Sequence, residues 1–398
     1  MTGFARSIIF LTGLLAAGLL LVVLTWPRTH IAPGMVLKPV SFDQLPGWAN
    51  DDPAQALGVF KRTCQRLEKM SPDTAMGGHN IYGYVRDWLD ICQNAKSQNV
   101  SSARAFFESA FVASQVLDAA GADGLFTGYY ESEVHGARHQ GGVFQTPLYA
   151  RPDDLVDVDL GAFAPDLKGR RTAGLVIDHR LQPYPDRAAI YEGALSSRAK
   201  PLVWLDDPVD AFFMEIQGSG RVLLDDGSSL RLTFSGQNGH AYTAIGQVLI
   251  RSKILRREEV TMASIRQWLT QNPKDRDAVL RQNRSYVFFR ESPITDPGLG
   301  PPGADGLALT PGRSLAIDRS FHALGVPVFL NTADAAALDP PIQRLMVTQD
   351  TGGAIRGVVR GDVFWGYGPD AAARAGRMKD RGQLYVLLPR GLVARAQK

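Results

Sequence analysis

Three aspartates are threaded through glycines and aromatic residues in the string Gln349-Asp350-Thr351-Gly352-Gly353-Ala354-Ile355-Arg356-Gly357 and its continuation Arg360-Gly361-Asp362-Val363-Phe364-Trp365-Gly366-Tyr367-Gly368-Pro369-Asp370. Glycine lets a backbone approach a ligand closely, and a carboxyl held near Phe364, Trp365 and Tyr367 has its neutral form favoured by desolvation. A neutral carboxyl is what general-acid chemistry near neutral pH requires, for instance to protonate a glycosidic oxygen, and aromatic faces give sugars a flat apolar surface to lie on. The same composition also makes ordinary Asp-Gly turns between strands. Composition leaves both readings open.

Two further strings carry polar groups. In Leu125-Phe126-Thr127-Gly128-Tyr129-Tyr130-Glu131 a strand-like start meets two tyrosines and a carboxylate, either to stack on sugars or as a core strand with one ring in and one out. In Met214-Glu215-Ile216-Gln217-Gly218-Ser219-Gly220-Arg221 the Gly-Ser-Gly stretch either exposes amides to a polar ligand or forms a hairpin turn. There is no P-loop and no Gly-x-Ser-x-Gly elbow, and the seven histidines lack metal-ligand spacing. No metal and no cofactor is expected.

These strings must be held by a chain of 398 residues, 45% hydrophobic and 21% charged, enough for roughly two or three domain-sized units. With 43 basic against 40 acidic residues, the balance gives no reason to expect a nucleic-acid partner. Arg6 precedes an apolar run from Ile8 to Leu24, closed by Trp26, Pro27 and Arg28. That run is longer than the ~7 to 15 residues of a signal-peptide core and reaches the lower edge of the ~17 to 25 that span a bilayer. An uncleaved anchor is preferred, with a cleaved signal as the alternative that Ala16, Ala17 and Gly18 keep open. Either way the rest of the chain is exported, and no cysteine follows the run to carry a lipid. The two cysteines, Cys64 and Cys92, would pair in an oxidising compartment, the alternative being two buried thiols.

Helical spacing runs from Ala54 to about Cys92 and from Ser101 to Ala120. The stretches Gly124 to Tyr130, Val143 to Tyr149, Val203 to Ile216 and Val222 to Phe234 read as strands. Helices are expected from Tyr242 to Leu255 and Glu258 to Leu269, with Thr261 to Ser264 as a start signal. Short strands then return at Tyr286 to Phe289, Leu315 to Ile317, Val326 to Leu330, Arg344 to Thr348, Asp362 to Trp365 and Gln383 to Leu387. Such punctuation suggests a barrel or sandwich rather than a parallel α/β sheet.

Taken in order, Phe126-Thr127-Gly128-Tyr129-Tyr130, Gln217-Gly218-Ser219-Gly220, Gly239-His240-Ala241-Tyr242, Ile245-Gly246, Tyr286-Val287-Phe288-Phe289, Asp318-Arg319 and the three-aspartate segment resemble the membrane-bound lytic murein transglycosylase A (MltA) family from about Gly124 to Leu388. The resemblance implies a mainly β fold with N-terminal helices, in which a double-psi β-barrel domain is interrupted by an inserted β-rich domain and the glycan lies in the groove between them. Residues 1–30 would be the anchor or signal, 31–130 the helices and first part of the barrel domain, 131–284 the insert, and 285–390 the second, three-aspartate part of the barrel domain. Better-known members carry a lipidated cysteine that this chain lacks, so its tethering differs.

The resemblance also implies site roles. Asp362 matches the family's catalytic aspartate, Asp350 its supporting one and Asp370 the third. Thr127, Gly128, Tyr129, Tyr130, Gln217, Gly218, Ser219, Gly220, Asp318, Gly352, Gly353, Trp365 and Asp370 would bind substrate. The implied enzyme is a peptidoglycan lytic exotransglycosylase, a carbon–oxygen lyase working on the periplasmic side of the envelope. Its partners would be the glycan strand, the membrane through residues 8–24, and cell-wall synthesis or division machinery. The rivals are a hydrolytic muramidase using Asp362 with Glu131 or Asp318, and a non-catalytic peptidoglycan-binding scaffold.

Overall fold

The structure, a computed structural model, describes residues 34–396 except 79, 169 and 334–339. The apolar run at 8–24 lies outside them, and no helix among the described residues is long and apolar enough to cross a membrane. After strand β1 (Val36–Val40), three helices form: α1 (Pro53–Leu67), α2 (Arg86–Ser97) and α3 (Ala103–Ala110). Helix α1 starts where the sequence dictates, because Asp52 accepts the Ala54 N–H and Pro53 needs no donor in the first turn. Its inner face buries Ala56, Leu57, Phe60, Cys64 and Leu67, and Cys64 is disulfide-bonded to Cys92 of α2 across a Cα–Cα distance of 5.2 Å.

The helix expected through Ala120 stops ten residues early. From Phe111 the chain is strand β2 (Phe111–Leu117), where Val112 and Val116 favour extended backbone and β1 takes up its hydrogen bonds on one side. Strand β3 (Gly124–Ala137) follows and is 14 residues long.

Beyond β3 come β4 (Thr146–Tyr149), a separate antiparallel sheet of β5 (Val156–Asp159), β6 (Arg171–Ile177) and β7 (Arg180–Pro183), then α4 (Arg187–Tyr191) and β8 (Pro201–Leu205). The strand expected from Val203 to Ile216 ends at Leu205 and is replaced by helix α5 (Pro208–Gln217). Asp207 accepts the Val209 N–H, Pro208 occupies the first turn, and Gly218 at φ 75° closes the helix with its N–H on the Met214 carbonyl. Those start and stop signals outweigh the β-forming content between them. Gly218 therefore ends a helix and makes no hairpin. Strands β9 (Ser219–Leu224) and β10 (Ser229–Gln237) then lead to α6 (Ile245–Arg251), α7 (Met262–Gln271) and α8 (Pro273–Leu280), and β11 (Val287–Ser292) pairs with β10. Helix α7 begins at the expected signal, Thr261 accepting the Ser264 N–H.

The last third supplies β12 (Ser314–Ile317), β13 (Pro327–Ala333), β14 (Gln343–Asp350), β15 (Arg360–Tyr367), α9 (Gly368–Arg377), β16 (Lys379–Pro389) and α10 (Arg390–Ala396). Pairings run β16 to β13, β14, β12, β15 and β3, and β3 pairs back to β16, so this hydrogen-bonded path returns to its start. Leu315, Val328, Phe329, Val347, Val363 and Val386 of these strands are buried in one core with Phe60, Trp88, Phe107 and Phe111 of the helical layer. The architecture is mainly β with helices over one part, as expected.

Because the disulfide joins the two helices that cover this core, replacing Cys64 and Cys92 together by Ala should lower the unfolding free energy by about 2 to 4 kcal/mol. Urea denaturation of the oxidised protein measures this, and an unchanged midpoint would contradict it.

Candidate active site

Strand register brings the aspartates together. Ala316 of β12 is opposite Asp350 of β14 on one side and opposite Asp362 of β15 on the other, and Asp362 is opposite Thr127 of β3. Asp350, Ala316, Asp362 and Thr127 thus form one row across four strands. The small Ala316 leaves open space between the carboxyls, which stand two strand spacings, ~10 Å, apart along the backbone. The row forms part of the wall of a groove of about 710 Å³, whose other walls include Tyr129, Tyr130, Gln217, Ser219, Phe364 and the start of α7.

The two carboxyls are bonded differently. Asp350 accepts the Tyr129 hydroxyl at 2.9 Å, the Ala304 N–H at 3.0 Å and the Thr351 N–H at 2.9 Å. Asp362 accepts one side-chain bond, from Thr127 at 2.6 Å, on Oδ1; among the described residues Oδ2 has no partner. Thr127 can donate there because its oxygen accepts from Arg360 at 2.8 Å, which fixes the direction of the chain. Burial raises the Asp362 pKa and nearby Asp350 adds to it, while Thr127 and Arg360 oppose the rise. Burial also pushes the Tyr129 hydroxyl far above its usual range, with Asp350 reinforcing it, so Tyr129 is a donor throughout the physiological range. The arrangement presents one desolvated carboxyl with a free oxygen to the groove, able to give a proton and take one back.

Of the residues singled out in the sequence, Gly128, Tyr129, Tyr130, Gln217, Ser219, Asp350, Gly352 and Asp362 line the groove, and Thr127 stands behind Asp362. Others are elsewhere. Asp370 is exposed in the first turn of α9. Asp318 is buried in a loop, accepting the Gly357 and Ser320 N–H groups, so it shapes the 352–357 turn and is absent from the groove wall. Trp365 alternates to the face opposite Phe364, with Arg374 3.7 Å over its ring and its indole nitrogen so near Gly128 that a Cβ there would sit 2.6 Å away. Gly218 caps α5, Gly220 is buried against Met214, and Gly353 is exposed. Sequence reading missed Ala316, Arg360 and the Pro301, Pro302 and Leu309 side of the groove. Only Arg360 had a usable signal, its place two residues before Asp362 on the same strand face.

Glu131 is no free second carboxylate. It is fully buried, with Arg231 donating to its two oxygens at 2.5 and 3.0 Å and Arg221 3.7 Å away. Arg231 also reaches the Leu299 carbonyl, and Arg221 lies 3.4 Å over the Tyr367 ring. The cluster ties β3, β9, β10, β15 and the 297–299 segment into one knot beside the groove.

A groove with one available acid set into the strands of its wall is the site of an acid–base enzyme. Residues 125–290 match the family described as the MltA specific insert domain, and residues 313–388 match the 3D domain. Membrane-bound lytic murein transglycosylase A of Escherichia coli K12 is 31% identical over 343 residues, 83% of this chain and 81% of that protein. The Vibrio cholerae protein of the same name is 33% identical over 66% of this chain and 65% of its own length. Among solved structures, MltA from Neisseria gonorrhoeae aligns with a TM-score of 0.79 at 32% identity, covering 92% of this chain and 94% of that one. E. coli MltA with bound chitohexaose aligns at 0.57 and 26%, covering 89% and 91%. The chain belongs to the membrane-bound lytic murein transglycosylase A family.

Changing Glu131 to Gln leaves two buried guanidinium groups without a carboxylate, which should destabilise the protein by about 3 to 5 kcal/mol. Denaturant unfolding reads this out, and a loss under about 1 kcal/mol would mean the knot is not what fixes the groove wall.

Proposed function

We propose that this protein is a lytic transglycosylase that cleaves the β-1,4 bond between N-acetylmuramic acid and N-acetylglucosamine in peptidoglycan, with Asp362 as its single acid and base. One observation carries the reading: Asp362 is the only carboxyl among the described groove-lining residues with an oxygen free of partners. Protonated Asp362 donates through Oδ2 to the glycosidic oxygen as the bond to the muramoyl C1 breaks. The C6 hydroxyl of the same sugar then attacks C1, and its proton passes to the Asp362 carboxylate. No water is consumed, and the acid is regenerated. An intramolecular nucleophile removes the need for a second carboxylate, which hydrolytic glycosidases use at ~5 to 9.5 Å from the first.

The muramidase alternative is weakened on this ground. Of the carboxylates open to it, Glu131 is neutralised by Arg231, Asp318 is held by backbone amides outside the groove, and Asp350 is taken up by three donors. Asp350 in this reading holds Tyr129 against the substrate and the 301–309 segment against the groove. The returning path of β16, β13, β14, β12, β15 and β3 is the double-psi barrel of the family, interrupted by the β-rich insert of residues 131–284. The family name supports work at the membrane, and a peptidoglycan substrate puts the enzyme on the periplasmic side.

Changing Asp362 to Asn should reduce release of anhydro-muropeptides from purified sacculi by at least about a thousandfold, since the variant has neither acid nor base. Mass spectrometry of wild-type products should show ends lighter by one water than reducing ends; reducing ends would sink the transglycosylase reading, and near-normal release by the variant would sink Asp362. The pH profile tests the wiring. Activity needs the protonated carboxyl, so it is full below the raised Asp362 pKa and lost as pH climbs through it. Thr127 to Val removes a bond that favours the carboxylate, so the alkaline limb should move to higher pH, and a limb that stays put or moves down refutes the role given to Thr127.

A further inference from the structure

The groove continues sideways past Ser219. A second cleft of about 610 Å³ shares Gln217, Ser219, Pro301 and Pro302 with it and is walled by Thr233, Phe234 and Arg290. Register explains its direction. Ser219 of β9 is opposite Thr233 of β10, and Thr233 is opposite Arg290 of β11, so the three stand on one face in a row leading outward from the groove.

The chemistry of this row differs from that of the groove. The neighbouring charges are compensated, Arg231 by Glu131 and Glu291 by Arg138, yet among the described residues Arg290 has no carboxylate partner. Phe234 beside it is 50% exposed, and Ile216 at the cleft's edge is 39% exposed. An unpaired guanidinium next to accessible apolar side chains suits a ligand with a carboxylate and short apolar groups. A strand of N-acetylated sugars offers no such charge, because the muramoyl lactyl carboxyl is consumed in the amide to the stem peptide. The stem peptide does offer it, and it branches sideways from the glycan as this cleft branches from the groove.

We propose that the cleft is a subsite for the stem peptide borne by a muramoyl residue in the groove, with Arg290 meeting a peptide carboxylate and Phe234 its apolar side chains. This rests on the groove being a glycan site. The test measures binding, so that it does not depend on turnover. In an Asp362→Asn background, affinity is compared for glycan strands carrying stem peptides and for strands stripped of them by an amidase, with the lactyl carboxyls that the amidase frees capped as methyl amides. Arg290→Ala should weaken binding of the peptide-bearing strands about five- to tenfold and leave the stripped strands within about twofold. Arg290→Lys should restore part of the loss, and Phe234→Ala should repeat its selectivity. An equal loss on both strands would make Arg290 a glycan contact, and no loss on either would leave the cleft without a peptide; each overturns the subsite. Wild-type turnover of stripped strands, read separately, reports on the transglycosylase assignment alone.

Discussion

Glu131 lies at the point where β3 leaves its pairing with β15 and takes up its pairing with β9. The first half of the strand, residues 125–129, pairs with β15, and residues 132–136 pair with β9. Between them the register against β15 jumps from Phe364 opposite Tyr129 to Tyr367 opposite Glu131. A strand that changes partners in mid-run leaves backbone and side chains at the crossing without regular neighbours, and here a buried carboxylate fills that gap. Burying three charges is costly by itself. It is tolerated because Arg231 meets both Glu131 oxygens and spends a further donor on the Leu299 carbonyl, while Arg221 stacks on Tyr367. The groove wall at Tyr129, Tyr130, Gln217 and Ser219 is measured out from this crossing.

A second buried pair supports the same wall from behind. Arg187 donates to both oxygens of Glu215 and to the Ser285 and Asn283 carbonyls. Burial pushes the Glu215 pKa up against the opposing pull of Arg187. Glu215 is in the last turn of α5, and two residues on Gln217 faces the groove. This side of the site therefore hangs on two desolvated Arg–Glu pairs whose remaining donors close backbone groups that strands and helices leave open. Rigid placement of this kind suits a reaction whose nucleophile and leaving group belong to one substrate, since alignment is then most of what the protein must supply.

Much of this was legible in the sequence where one residue type has one physical use. The Thr261 start of α7 and the short strands after Ser285 follow from local chemistry and were placed to within a few residues. The extension of helix past Ala110 and of strand past Leu205 failed because periodicity and β-propensity were read without the caps and pairings that overrode them. The three-aspartate segment divides in a way that composition cannot show: Asp350 closes β14, Asp362 is inside β15, and Asp370 starts α9. Nor could spacing alone put Ala316 between the first two, because that neighbourhood is created by one parallel and one antiparallel pairing of β12.

The contrast between Asp350 and Asp362 is what that placement produces. Both face one groove on one row, and a reader of composition has no means to choose between them. At the end of β14 the chain leaves the sheet, so free amides are within reach, and Asp350 collects those of Ala304 and Thr351 along with the Tyr129 hydroxyl. Inside β15 the amides are already in the ladder, and Asp362 is left with Thr127 from the next strand. A carboxylate met by three donors is a strut. A carboxyl met by one, in a place where burial favours its neutral form, is an acid. The 301–309 segment repeats the logic, for Asp305 there is pushed up to about 6 by burial, with Asp350 adding to the rise, while its own N–H holds the Gln349 carbonyl beside the strut. Strand position, more than residue type, assigns the roles.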